Sequence, residues 1–164
     1  MTPQTFLFFG TSGSGKGTQA KLLMEYLQKK DPEKKVLYLE TGQKMREFAT
    51  RSSLTGRKTK EIMDTGGLMP EFLPVLAWAE FFVENVTGNE HIILDGVGRR
   101  EHEAVIVDSM MKFYGRENPT VLFLEVSPEW AADKMVKRGR ADDREMEIKN
   151  RLAWFEKNVL PAIN

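Results

Sequence analysis

The residues Gly10, Gly13, Gly15 and Gly17 surround Lys16 in Phe6-Leu-Phe-Phe-Gly-Thr-Ser-Gly-Ser-Gly-Lys-Gly-Thr18, between a short apolar run and a helical pattern. Glycines suit a loop whose backbone N–H groups must curl round an anion with no Cβ in the way. A helix that follows such a loop turns its positive end on the same anion, and Lys16 adds a full charge near the outer phosphates. Gly13, Ser14, Gly15, Lys16, Gly17 and Thr18 therefore read as a phosphate-binding loop for a nucleoside triphosphate. The general pattern has Ser or Thr directly after the lysine; here Gly17 intervenes and the hydroxyl arrives at Thr18. Thr18 would contact phosphate or magnesium, or else cap the helix. Asp95 closes the apolar run His91-Ile-Ile-Leu94. A carboxylate at the carboxyl end of a central parallel strand faces the crevice where ligands bind in such sheets.

The variant Gly15-Lys-Gly-Thr-Gln19 resembles the loop of adenylate kinases and related nucleoside monophosphate kinases. The resemblance extends to five arginines. Arg46 lies in Thr41-Gly-Gln-Lys-Met-Arg46, similar to the family's Thr-Gly-Asp-x-x-Arg segment. Arg99 lies in Leu94-Asp-Gly-Val-Gly-Arg99, similar to Leu-Asp-Gly-Phe-Pro-Arg, and Arg138, Arg140 and Arg151 follow around a short lid. Arginine suits phosphoryl transfer because it stays protonated and grips phosphate oxygens bidentately. The resemblance implies that Lys16, Arg99, Arg138, Arg140 and Arg151 serve catalysis. It also implies that Thr41, Arg46, Gly96, Arg99 and Glu103 bind the monophosphate. By the same resemblance Asp95 holds Mg²⁺ through water, with Thr18 as a second contact. Asp142 and Asp143 match paired aspartates of the family and would hold arginines or cap the last helix.

Three positions depart from the family pattern. Gln43 stands where the family has an acidic residue near the magnesium waters, which predicts weaker metal affinity. Gly98 replaces a proline and should loosen the loop that carries Arg99. Glu103 replaces the glutamine that reads the monophosphate base, unless it points at Arg99, Arg100 or solvent. Thr41 is the residue of adenylate kinases at a position where pyrimidine monophosphate kinases more often have alanine. The lid is shorter even than in short-lid members and carries no cysteine pair.

Strand and helix patterns alternate along the chain, which predicts an α/β fold with a parallel sheet flanked by helices. Strands are expected at Thr5–Phe9, Val36–Leu39, His91–Leu94 and Pro119–Val126. Helices are expected near Lys16–Lys30, Gly42–Thr50, Arg57–Thr65, Glu71–Val86, Glu101–Phe113, Pro128–Lys137 and Asp142–Leu160. The first helix should bury Leu22, Leu23, Tyr26 and Leu27; the fourth should pack Phe72, Leu76, Ala79, Phe82 and Val83. Trp78, Trp130, Trp154 and Phe155 read as core. His91 is expected at a strand edge, and His102 near the monophosphate site without a chemical role. The resemblance implies a P-loop NTPase fold with strand order 2-3-1-4, the family's fifth strand missing from this chain. One kinase domain over 1–164 is expected, with a small helical monophosphate-binding insertion at about 42–73 and a minimal lid at about 138–143.

With 24 basic and 24 acidic side chains the chain has no global field to attract nucleic acid or an anionic membrane. It has no cysteine, hence no disulfide, thiol nucleophile or thiolate zinc site. No run approaches the length of a membrane span, and a cytoplasmic protein is the default expectation; a monomer is a separate expectation. The function implied is a nucleoside monophosphate kinase: adenylate kinase first, with Mg-ATP and AMP as substrates. A kinase for GMP or a pyrimidine monophosphate, or a nucleotide-binding protein that has lost catalysis, are the alternatives. A hydrolase acting on water alone fits poorly, because Thr41, Arg46 and Arg99 form a second anion site it would not use.

Overall fold

A computed structural model describes residues 1–140 and 142–163; Ala141, inside the expected lid, and Asn164 lie outside the described residues. Four parallel strands form one sheet in the order β2-β3-β1-β4: β1 (Thr5–Phe9), β2 (Val36–Glu40), β3 (His91–Asp95) and β4 (Thr120–Phe123). The order is the one the family resemblance implied. β3 sits between β2 and β1 and is buried along its whole length, as its unbroken apolar run requires. β4 is an edge strand and shorter than expected, although Leu124 N–H still donates to Phe9 O at 2.9 Å.

The period of two along the strands divides the core. Leu7, Phe9, Leu37, Leu39, Ile92 and Leu94 face one side and pack with Trp78, Phe82, Val107 and Met111. Those partners come from α4 (Phe72–Asn85) and α5 (Glu101–Phe113). Phe8 and Ile93 face the other side and pack with Ala20 and Leu27 of α1 (Lys16–Lys30). A separate cluster of Met45, Phe48, Met69, Leu73 and Ala77 joins α2 (Thr41–Ala49) to α4, with Ile62 and Met63 of α3 (Leu54–Asp64) against it. After β4 come α6 (Pro128–Arg138) and α7 (Glu145–Trp154). A π-helical turn (Phe155–Val159) and α8 (Leu160–Ile163) complete the described chain.

Several expectations need correction. In α1 the stripe Ala20, Leu23, Met24 and Leu27 meets the sheet, and Leu22 and Tyr26 are exposed. In α4 only Phe82 of the expected face is buried; Leu73, Pro74, Ala77 and Trp78 turn inward instead, and Phe72, Leu76, Ala79 and Val83 are exposed. That helix is apolar nearly all round, so periodicity alone cannot choose its face. His91 is fully buried, accepting from Gln4 N–H at Nδ1 (3.2 Å) and lying 3.4 Å from Asp31 through Nε2. Trp130 is exposed rather than core. The last helix starts at Glu145, not Asp142, because both aspartates are engaged elsewhere, and a π turn interrupts it.

Candidate active site

A cleft of about 710 Å³ opens over the carboxyl ends of the strands, and every site residue expected from the sequence lines it. The loop between β1 and α1 forms its floor. Its apex is wedged against α6: a Cβ on Gly13 would lie 2.3 Å from the Ala131 carbonyl oxygen. The α1 N-cap is Gly15, which has no side chain, so the cap role considered for Thr18 falls away and its hydroxyl stays free on the exposed first turn. Among the described residues the buried hydroxyls of Thr11 and Ser14 have no hydrogen-bond partner, which a phosphate oxygen would satisfy. Lys16 Nζ folds back onto its own loop, donating to Gly10 O at 2.8 Å and Thr11 O at 2.9 Å. Burial pulls its pKa from 10.5 to about 8, partly offset by the Asp95 charge.

β3 delivers Asp95 and, one turn later, Arg99. Asp95 is buried and accepts from the Tyr38 hydroxyl at 3.3 Å. Burial pushes its pKa up, against the pull of Lys16 and Arg99. Gly96 has φ +71°, and a Cβ there would stand 2.1 Å from Arg99 Nη2, so only glycine lets the guanidinium lie across this turn. Among the described residues no carboxylate pairs with Arg99, whose pKa is lowered mainly by burial. A cation held in this way is matched to an incoming anion. Gly98 also differs from the proline it replaces in backbone conformation. Its φ of +68° lies outside the range a proline can adopt, so the chain takes a different path here.

β2 delivers Thr41 and Arg46. The Thr41 hydroxyl is buried, donating to Gly96 O at 2.8 Å and accepting from Trp78 Nε1 at 3.0 Å. It thus ties the ends of β2 and β3 to α4. Arg46 Nη2 donates to Glu40 Oε1 at 2.7 Å. Gln43 is exposed and its amide donates to Glu47 at 3.1 Å along α2, away from the cleft. Glu103 is buried in the first turn of α5 and accepts from Arg99 N–H at 2.8 Å, with Arg100 Nη1 3.9 Å away. The reading that it points at Arg99 and Arg100 therefore has direct contacts behind it. Burial raises its pKa.

Arg138 and Arg151 are held by the paired aspartates Asp142 and Asp143. Arg138 grips Asp143 with both Nε (2.9 Å) and Nη2 (2.7 Å). Arg151 donates to Asp143 at 3.2 Å and to Asp142, and the Arg140 N–H reaches Asp143 at 3.2 Å. The helix-cap alternative for these aspartates is excluded, since Arg144 occupies the α7 N-cap. Sequence reasoning missed Glu40, Tyr38, Trp130 and Lys134 as cleft residues. The rule that located Asp95, a charged residue at the carboxyl end of a parallel strand, applies equally to Glu40.

This geometry coincides with what comparison finds. The family model for adenylate kinase matches residues 8–164. The chain belongs to the adenylate kinase family. It is similar to adenylate kinase 1 of Synechocystis sp., at 32% identity over 157 residues covering 96% of this chain and 80% of that protein. It is also similar to an adenylate kinase of Prochlorococcus marinus (32%, covering 96% of this chain and 81% of the relative). An adenylate kinase of Corynebacterium urealyticum is 29% identical, covering 96% and 83% respectively. Membership makes the chain a phosphotransferase, and its sheet order and phosphate loop are those of the P-loop class. No helix among the described residues is long and apolar enough to cross a membrane.

Proposed function

We propose that the protein is an adenylate kinase transferring the terminal phosphoryl of Mg-ATP directly to AMP, giving two ADP. One observation carries this reading: a phosphate loop with Lys16 and a second cation set, Arg46 and Arg99, line the same cleft, with Arg138, Arg140 and Arg151 beside them. ATP alone needs only the loop. A second set of cations in reach of it supports a second phosphorylated substrate.

In this reading the loop N–H groups from Gly13 to Thr18 and Lys16 hold the donor phosphates, Lys16 swinging off its own carbonyls to do so. Arg46 and Arg99 hold the monophosphate, at a site completed by Thr41, Gly96 and Glu103. Arg138, Arg140 and Arg151 bear on the transferring group, whose charge spreads over its equatorial oxygens. The acceptor oxygen is already ionised, so no side-chain base or covalent intermediate is required. The segment 42–73 acts as the monophosphate-binding arm and 138–143 as the lid of a single kinase domain, working as a cytoplasmic monomer.

The donor set fits magnesium. Asp95 and Thr18 offer oxygen, and the described residues contain no cluster of three acidic, His or Cys side chains that would cage a metal. Such a site suits an ion that keeps several waters and takes its remaining ligands from phosphates. Bound magnesium neutralises donor phosphate charge; Asp95 would orient it through water and Thr18 through its hydroxyl.

A coupled assay of ADP formation, run with ATP against each common monophosphate, tests the reading. AMP is expected to give the highest kcat/KM. A folded protein that turns over no monophosphate would overturn it.

A further inference from the structure

The carboxylate of Glu40 has no part in the roles above, yet it stands between two of the arginines assigned to substrates. Glu40 ends β2, in register with Asp95 on β3, and lines the cleft. Its Oε1 accepts from Arg46 Nη2 at 2.7 Å, and Arg140 Nη1 lies 3.8 Å from the same oxygen. One oxygen thus faces guanidiniums from the arm and from the lid. Arg46 reaches it by folding back over the first turn of α2, where Gly42 leaves the space. A Cβ on Gly42 would lie 3.2 Å from Arg46 Nη1 and 3.4 Å from Glu40 Oε1. Burial, followed by the charges of Arg46 and Arg138, lowers the pKa of Arg140, against the pull of Glu40 and Asp142.

Glu40 differs from Asp143 in what it can release. The Asp143 side chain is fully buried (0% exposed) and takes donors on both oxygens. Glu40 offers a single oxygen, is 21% exposed, and its partner Arg46 is 32% exposed, so an anion from solvent can reach the pair. We propose that Glu40 is an anion placeholder: its carboxylate keeps Arg46 and Arg140 facing the empty cleft, and the phosphate of the monophosphate displaces it. This rests on the reading that Arg46 binds the monophosphate. A phosphate dianion brings more charge and more acceptor oxygens than one carboxylate, so it wins the exchange. Until it does, Arg46 is occupied, and apparent affinity is reduced by the fraction of free arginine. Glu40 is a positioning residue that acts through Arg46.

The test is calorimetric binding of AMP to the wild type, to Glu40→Gln, to Arg46→Ala and to the double variant, with ATP as control. Glu40→Gln is expected to tighten AMP by about five-fold or more, the factor for an arginine about four-fifths occupied. ATP binding should change less. In the Arg46→Ala background the same change should have no effect on AMP, because the competitor has nothing left to occupy. Glu40→Ala serves as a second variant and should move affinity in the same direction. A residue that only supported the fold would lose affinity when changed. Equal or weaker AMP binding by folded Glu40→Gln and Glu40→Ala proteins overturns the placeholder, as does a gain that persists without Arg46. Failure of the wild type to bind AMP at all would instead overturn the proposed function.

Discussion

Replacing Asp143 with asparagine removes one charge and keeps the side chain's shape, so it tests whether that charge holds the lid arginines in place. Arg138 reaches both carboxylate oxygens, at 2.9 and 2.7 Å, and Arg151 Nη1 reaches one of them at 3.2 Å. Asparagine keeps one acceptor and turns an NH₂ toward a guanidinium that can only donate. Leaving one partner of a buried charge pair alone costs about 3–5 kcal/mol. Two features reduce that here: Arg138 keeps 30% of its side chain in water, and Arg151 retains Asp142. A working value is about 2–3 kcal/mol. If these arginines bear on the transferring group, the loss becomes a drop of roughly 30- to 150-fold in kcat/KM. Steady-state ADP formation with each substrate varied measures it, beside thermal unfolding to confirm the fold. In an Arg138→Ala background Asp143→Asn should cost less than it does in the wild type, since part of its effect acts through the Arg138 contact already removed. A folded Asp143→Asn protein within about three-fold of wild type would refute the reasoning.

In the proposed role Lys16 acts as an ammonium, and burial lowers its pKa from 10.5 to about 8. Because the charged form is the one below that pKa, kcat/KM for ATP should fall as pH rises through about 8. Bound phosphates favour the ammonium, so the limb in kcat should lie at higher pH; coincident limbs would contradict this. Gly96→Ala puts a Cβ 2.1 Å from Arg99 Nη2 at a φ of +71°. Arg99 is the flexible partner and must move, so activity should fall about a hundred-fold, with the fold largely retained; an unshifted rate would place Arg99 outside the chemistry.

The parts of the molecule that were legible in its sequence are those whose residues leave one physical choice. The phosphate loop is such a case, and so is β3, whose apolar run fits only a strand covered on both faces. Arg99 could be placed because it follows β3, whose carboxyl end a parallel sheet brings to the cleft. Arg46 and Arg151 lie within α2 and α7, and the resemblance of their motifs is what brought them to the same site. The face of α4 was not legible, because Phe72 and Val83 are as apolar as Leu73 and Trp78. The buried face is the one that makes long-range contacts: Trp78 donates to Thr41 and packs, with Phe82, under the sheet, and Leu73 and Ala77 pack with Met45 and Phe48. The start of α7 was missed because Asp142 and Asp143 look like a helix cap locally and spend their oxygens on Arg138 and Arg151 instead. Glu40 was passed over because its meaning depends on Arg46 and Arg140 arriving from two other segments.

The central claim is that the phosphate loop and the second arginine set are two halves of one site. A dinucleotide in which two adenosines are joined by a polyphosphate chain tests it most directly, because it can occupy both halves at once. Joining the two ligands removes the second loss of translational freedom, so calorimetry should give an affinity at least about a hundred-fold tighter than that of ATP or AMP alone. Arg46→Ala should weaken the dinucleotide and AMP while sparing ATP. A dinucleotide that binds no better than ATP would show that the two cation sets do not form one site, and the kinase reading would fall with it.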